Sequence, residues 1–128
     1  MPALINEGSS CLVSNKKTTN FNIKKIDSLF SKVGLTFWFK NEKEINIATA
    51  ISGSGPAYVF LFIDAFEKAA RKIGLKEKYN KKLIYQTLLG SVKLLLNENK
   101  SAEYLAGNIA VKGGTTEAAL KILMKNKN

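Results

Sequence analysis

Apolar residues at Phe21, Ile23, Ile26, Leu29, Phe30 and Val33 recur at three- and four-residue steps, the spacing of one face of a helix. The pattern predicts a helix from Phe21 to Val33, with Asn20 as its N-cap and Gly34 as a left-handed C-terminal cap. The Glu7-Gly8 turn precedes a short strand within Ser9 to Ser14, centred on Cys11-Leu12-Val13. Leu35 to Phe39, short and aromatic, predicts a second strand. Two short strands bury too little to stand alone, so this strand–helix–strand unit reads as the end of a larger sheet. From Glu44 onward the pattern is helical. A short helix over Glu44 to Ala50 breaks at Ser52-Gly53-Ser54-Gly55, and Pro56 opens the next, capped by Ser54 or Gly55. That helix runs to about Ile73 and is apolar on every face in its first half, which predicts burial against a partner chain. Gly74-Leu75 supplies a Schellman-type stop. A long helix follows from Lys78 to Asn97, striped by Leu83, Ile84, Thr87, Leu88, Ser91, Leu94 and Leu95, with Gly90 suited to a close helix contact. Ser101 caps a helix to Ile109, Val111 to Gly114 form a loop, and Thr115 or Thr116 caps a last helix to Met124. The expected fold is mainly α, a strand–helix–strand piece at 1–43 followed by an all-helical domain at 44–128.

Composition narrows the chemistry. The chain has 128 residues, 45% apolar and 23% charged, enough for about one core. It contains no histidine, which removes imidazole acid–base catalysis and histidine-ligated metals. Its one cysteine, Cys11, removes a disulfide framework and a cysteine-cluster metal site, so no metal is expected. The net charge of +10 invites nucleic acid, yet Arg71 is the only arginine and the lysines are spread along the chain. A solvated lysine-rich surface is the better reading, and no nucleic-acid role is expected. The longest apolar run, Ala57 to Ile63, is far short of a bilayer span, and the N-terminus lacks signal-peptide character. No membrane association is expected, and the cytoplasm is the expected location.

Two segments are candidates for chemistry. Lys112-Gly113-Gly114-Thr115-Thr116 leads into a helix, whose free N–H groups and positive dipole end favour an anion such as a carboxylate. The same residues also suit an ordinary Gly-Gly turn with a threonine cap. The lysine precedes the glycines and no strand leads in, so this is not a phosphate-binding P-loop. The second segment, Ser52 to Tyr58, lacks a nearby base and reads as a packed helix–helix corner rather than a serine nucleophile. Tyr58 reads as a core aromatic, Trp38 and its Phe neighbours as core, and Cys11 as a small apolar strand residue.

Taken together, Ser52-Gly53-Ser54-Gly55-Pro56-Ala57-Tyr58-Val59-Phe60 and Gly113-Gly114-Thr115-Thr116-Glu117-Ala118 strongly resemble pyrroline-5-carboxylate reductase. Pro2-Ala3-Leu4, Glu7-Gly8, Leu29-Phe30-Ser31-Lys32-Val33-Gly34 and Gly74-Leu75 extend the resemblance over essentially the whole chain. It implies an N-terminal Rossmann-type domain binding NADPH or NADH, of which 1–43 would be the C-terminal remnant. It further implies that 44–128 is a helical domain that dimerises with an identical chain and can build higher oligomers. The implied reaction is reduction of 1-pyrroline-5-carboxylate to L-proline, the last step of proline biosynthesis. By resemblance, Gly113, Gly114 and Thr115 hold the substrate carboxylate with backbone N–H groups. Thr116 supplies a hydroxyl to the ring nitrogen and is the implied catalytic residue. The carbonyl of Ile109 receives the N–H of the same ring.

The departures from the family pattern shape the expectation. The glycine-rich cofactor fingerprint is missing, and the chain starts Met1-Pro2-Ala3 where the family runs Met-Pro-Asn-Thr-Pro-Ala. Val111-Lys112 replaces the usual Ser-Pro before Gly-Gly, and the family's last helix continues past Asn128. The chain is therefore expected to be a fragment or one half of a split enzyme. It would be inactive without a nucleotide-binding partner chain and bind no cofactor alone. The second reading is a helical oligomerisation module without chemistry.

Overall fold

The computed structural model describes residues 1–125, so the last residues of the expected 44–128 domain lie outside the described part. The chain forms two compact units, Met1–Ile73 and Gly74–Asn128. In the first unit a 3-10 turn over Pro2–Ile5 leads into strand β1 (Gly8–Val13). Helix α1 (Asn20–Phe30) then crosses over to strand β2 (Gly34–Phe39), followed by α2 (Glu42–Ser52) and α3 (Gly55–Lys72). The strands pair in parallel from Gly8↔Gly34 to Val13↔Phe39. A helical crossover is what parallel pairing demands.

The strand–helix–strand expectation holds, with corrections at the helix ends. The N-cap of α1 is Thr19 rather than Asn20. Thr19 is extended and its hydroxyl accepts the Asn22 N–H at 3.2 Å, which leaves Asn20 as the first helical residue. Gly34 does not cap α1 in the left-handed helical region. A 3-10 turn over Ser31–Val33 ends the helix, and Gly34 opens β2 at φ 145°, ψ −154°, a region essentially confined to glycine. A Cβ there would lie 2.0 Å from the Gly8 carbonyl oxygen. Paired glycines are therefore what lets the first rung of the sheet form.

The α2 helix starts at Glu42, ahead of the expected Glu44, because its N-terminus is capped reciprocally. The Asn41 side chain accepts the Glu44 N–H at 3.0 Å, and the Glu44 carboxylate accepts the Lys40 N–H at 2.9 Å. Cys11 Sγ lies 3.6 Å from Ser52 Oγ, which ties the end of α2 to β1. The compact units divide at Ile73/Gly74, whereas the pattern of the sequence changes at 43/44. Ser54 precedes α3 but makes no side-chain cap bond, so Pro56 in the first turn marks that start. Taken across Gly53-Ser54, Glu42–Lys72 is long and apolar enough to cross a membrane by length and composition, which the apolar runs alone did not suggest. The helix nevertheless breaks there, and the second half of α3 carries Asp64, Glu67, Lys68, Arg71 and Lys72.

The second unit holds α4 (Glu77–Asn97), α5 (Ala102–Ile109) and α6 (Thr115–Lys125). Ser101 caps α5 as expected, accepting the Tyr104 N–H at 3.1 Å. Of the expected α4 stripe only Ile84 is buried. Among the described residues nothing beyond the helix's own backbone comes within 4 Å of a Cβ placed on Gly90, so the close helix contact expected there is not made among them.

Large apolar side chains stay exposed. Among the described residues the buried apolar ones are Ala70 and Ile84, while Tyr58 to Phe62 on α3 are all more than half exposed. Tyr58 and Trp38 are therefore not core residues of this chain, contrary to expectation. Trp38 lies on a two-stranded sheet with little to cover it and donates its indole N–H to Asp27 at 2.9 Å. Asp27 also accepts the Thr36 hydroxyl at 2.6 Å. These two bonds, the Thr36 bond foremost, hold the Asp27 carboxyl below its usual 3.8. The link from α1 to β2 should thus persist above pH 4 and weaken only as pH falls through that depressed value. Emission of the single tryptophan should titrate with a midpoint below 3.8, and Asp27→Asn, which keeps an acceptor but cannot ionise, should abolish the step. A midpoint at or above 3.8 would contradict the assignment.

Candidate functional site

The expected site residues lie at the α5–α6 connection. Ile109 is the last residue of α5, so its carbonyl belongs to the final turn that has no intrahelical partner. Ala110 leaves the helix at ψ 98°, and the Val111 carbonyl accepts the Gly114 N–H at 2.9 Å to close the turn. Gly113 takes φ 78°, where a side chain would be strained. The Gly114 carbonyl accepts the Ala118 N–H at 3.3 Å, the first bond of α6. Gly114 is therefore the helix cap. Neither Thr115 nor Thr116 caps it, contrary to expectation: both lie inside the first turn. Thr115 is exposed and Thr116 half-buried.

Not every N–H of this loop is available to a ligand. The Gly113 N–H donates to Glu117 Oε2 at 2.7 Å, and Gly114 is held by Val111. The groups left for an anion are the N–H groups of Thr115, Thr116 and Glu117, which helix geometry leaves without a partner one turn back. The carboxylate of Glu117 also pairs with Lys121 at 2.9 Å. The Gly113 N–H, foremost, and Lys121 hold the Glu117 carboxyl below its usual range, so it stays ionised. Glu117 was missed as a site residue. The glycine cap has no side chain to complete a reciprocal capping pair, so the sequence carried no capping-box signal for Glu117.

The serine corner carries no nucleophile. The Ser52 hydroxyl donates to the Ala48 carbonyl at 3.0 Å, and the chain has no histidine to activate it. The fold does bring this corner to the Glu7-Gly8 turn. Glu7 and Gly8 share an open cleft of about 830 Å³ with Ser52, Gly53, Pro56 and Phe60 in the first unit. Their separation in sequence hid that neighbourhood.

A dinucleotide cofactor finds no phosphate site among the described residues. The β1–α1 connection, Ser14 to Thr19, has no glycine for close backbone approach to a pyrophosphate. The cleft in the first unit is lined by no lysine or arginine. The residues present do not fit the phosphates. The described residues also contain no cluster of metal-ligating side chains.

The profile of the family described as pyrroline-5-carboxylate reductase dimerisation matches residues 42–128. The chain is 36% identical over 125 residues to pyrroline-5-carboxylate reductase of Pseudomonas aeruginosa, a match covering 98% of this chain and 46% of that protein. It is 38% identical over 122 residues to the Haemophilus influenzae enzyme of the same name, covering 94% of this chain and 45% of that one. Among solved structures it resembles Plasmodium falciparum pyrroline carboxylate reductase with NADP bound. That match has a TM-score of 0.91 and 39% identity, and covers 98% of this chain and 50% of that one. The chain thus spans about half the length of these relatives. With most of its residues inside the family profile, the chain belongs to the pyrroline-5-carboxylate reductase dimerisation family.

Proposed function

We propose that this chain is the dimerisation and substrate-holding half of a pyrroline-5-carboxylate reductase, the NADPH- or NADH-dependent enzyme that reduces 1-pyrroline-5-carboxylate to L-proline in the cytoplasm. In this reading 1–43 belongs to the nucleotide-binding domain and 44–128 to the helical domain. The observation that carries it is the start of α6, where a turn with Gly113 at positive φ delivers the free N–H groups of Thr115 and Thr116 beside a half-buried hydroxyl. The N–H groups hold the substrate carboxylate at the positive end of the helix. Reduction of a cyclic imine needs a proton at nitrogen as hydride reaches carbon. The Thr116 hydroxyl, backed by the Ile109 carbonyl, orients that nitrogen. A nicotinamide cofactor would supply the hydride, and the described residues offer no site for its phosphates.

The exposed apolar run on α3 supports an identical chain as the partner, since patches of this size mark interfaces. The test is complementation. Alone, the chain should take up neither NADH nor NADPH in calorimetry. Mixed with a nucleotide-binding segment of the family, it should oxidise NADPH in the presence of 1-pyrroline-5-carboxylate. A well-folded mixed complex with no turnover would favour the helical oligomerisation module instead.

A further inference from the structure

We propose that Glu117 is a positioning residue for the substrate carboxylate, acting through the Gly113-Gly114 turn rather than by touching the substrate. The inference rests on reading the start of α6 as the carboxylate site. Gly113 is exposed, sits at φ 78°, and has nothing among the described residues within 4 Å of where a Cβ would lie, so no packing among them holds it. Two hydrogen bonds fix the turn instead: Gly114 N–H to the Val111 carbonyl at 2.9 Å, and Gly113 N–H to Glu117 Oε2 at 2.7 Å. The second is charge-assisted and the shorter. It sets the direction from which the chain enters α6, and with it the orientation of the next N–H groups.

Glu117 also places a negative charge beside a site that must accept an anion. Lys121, at 2.9 Å from Oε1 on the next turn of α6, offsets it. The carboxylate is thus committed at both oxygens within the chain, one to the turn and one to the lysine. This division of labour departs from the expectation that Gly113 itself binds substrate. Gly113 is held so that Thr115 and Thr116 can bind it. If the bond is lost, the turn samples other conformations and substrate binding must restore order, at a cost in affinity but not in the step that follows.

The test compares Glu117→Ala, Glu117→Gln and Thr116→Ala in enzyme assembled with the nucleotide-binding segment. Glu117→Gln keeps an oxygen acceptor for the Gly113 N–H and gives up only the charge. Glu117→Ala should raise KM for 1-pyrroline-5-carboxylate about tenfold while kcat stays within about twofold. Glu117→Gln should stay close to the parent in both. A lowered Tm in Glu117→Ala with unchanged KM would reduce Glu117 to a helix cap and overturn the proposal. Equal impairment in Ala and Gln variants would overturn it too, because charge and not the bond to Gly113 would then matter. If Thr116→Ala is impaired while Glu117→Ala is not, the positioning role alone fails. If both match the parent, the carboxylate site is elsewhere.

Discussion

Leu61→Asp should turn a folded dimer into a largely unfolded chain. Tyr58 to Phe62 occupy consecutive positions of α3, about 100° apart around the axis, so they cover every face of the helix. All are more than half exposed, Leu61 the most at 69%. Were the chain a stable monomer, an aspartate at so exposed a position would change stability by no more than about 0.5 kcal/mol. In a two-fold dimer it would place an unpaired charge in an apolar interface from both chains. The lost burial costs about 1.5–3 kcal/mol per side chain, and the unpaired charge adds several more. The sum exceeds what a chain whose buried apolar residues, among those described, are Ala70 and Ile84 can absorb. Sedimentation and circular dichroism read both states. A folded, monomeric Leu61→Asp chain would remove α3 as the interface.

Thr116→Ala should lose about 1–3 kcal/mol of transition-state stabilisation, roughly 5- to 150-fold in kcat/KM. The residue lies in the first turn of α6 and is half-buried. In a chain without histidine, its hydroxyl is the neutral donor this loop offers to a ring nitrogen. Thr115→Ala should cost less, because alanine keeps the N–H that Thr115 contributes and the side chain is exposed. Val111→Ser restores a hydroxyl of the family pattern and should leave substrate affinity unchanged or improved. Steady-state kinetics of the three variants decides the register. A large Thr115 effect with an unaffected Thr116→Ala would shift the loop assignment by one residue.

Most elements were legible because their signals are local. The apolar period over Phe21 to Val33, the aromatic run of β2, Pro56 and the Ser101 cap each encode a boundary within a few residues. Legibility failed where a boundary depends on a contact distant in sequence. Gly34 had the look of a helix cap because its true requirement, a close approach to Gly8, lies across the sheet. Trp38 and Tyr58 passed for core residues because an aromatic looks the same in sequence whether its cover comes from its own chain or from elsewhere. At the candidate site, the Gly-Gly-Thr-Thr pattern located a turn leading into a helix start with free N–H groups. It could not reveal that Glu117 already occupies the Gly113 N–H, since that depends on a side-chain rotamer. The resemblance to the reductase family supplied the roles of Thr116 and Ile109, which no spacing rule implies.

The most direct test of the central claim, that the first turn of α6 reads the carboxylate, is an amide resonance titration of the folded chain with L-proline. The account predicts that the Thr115 and Thr116 N–H resonances move together and saturate. Gly113, its N–H already held by Glu117, should move little. Saturating shifts confined to the cleft around Gly8 and Ser52, with Thr115 and Thr116 unmoved, would contradict it.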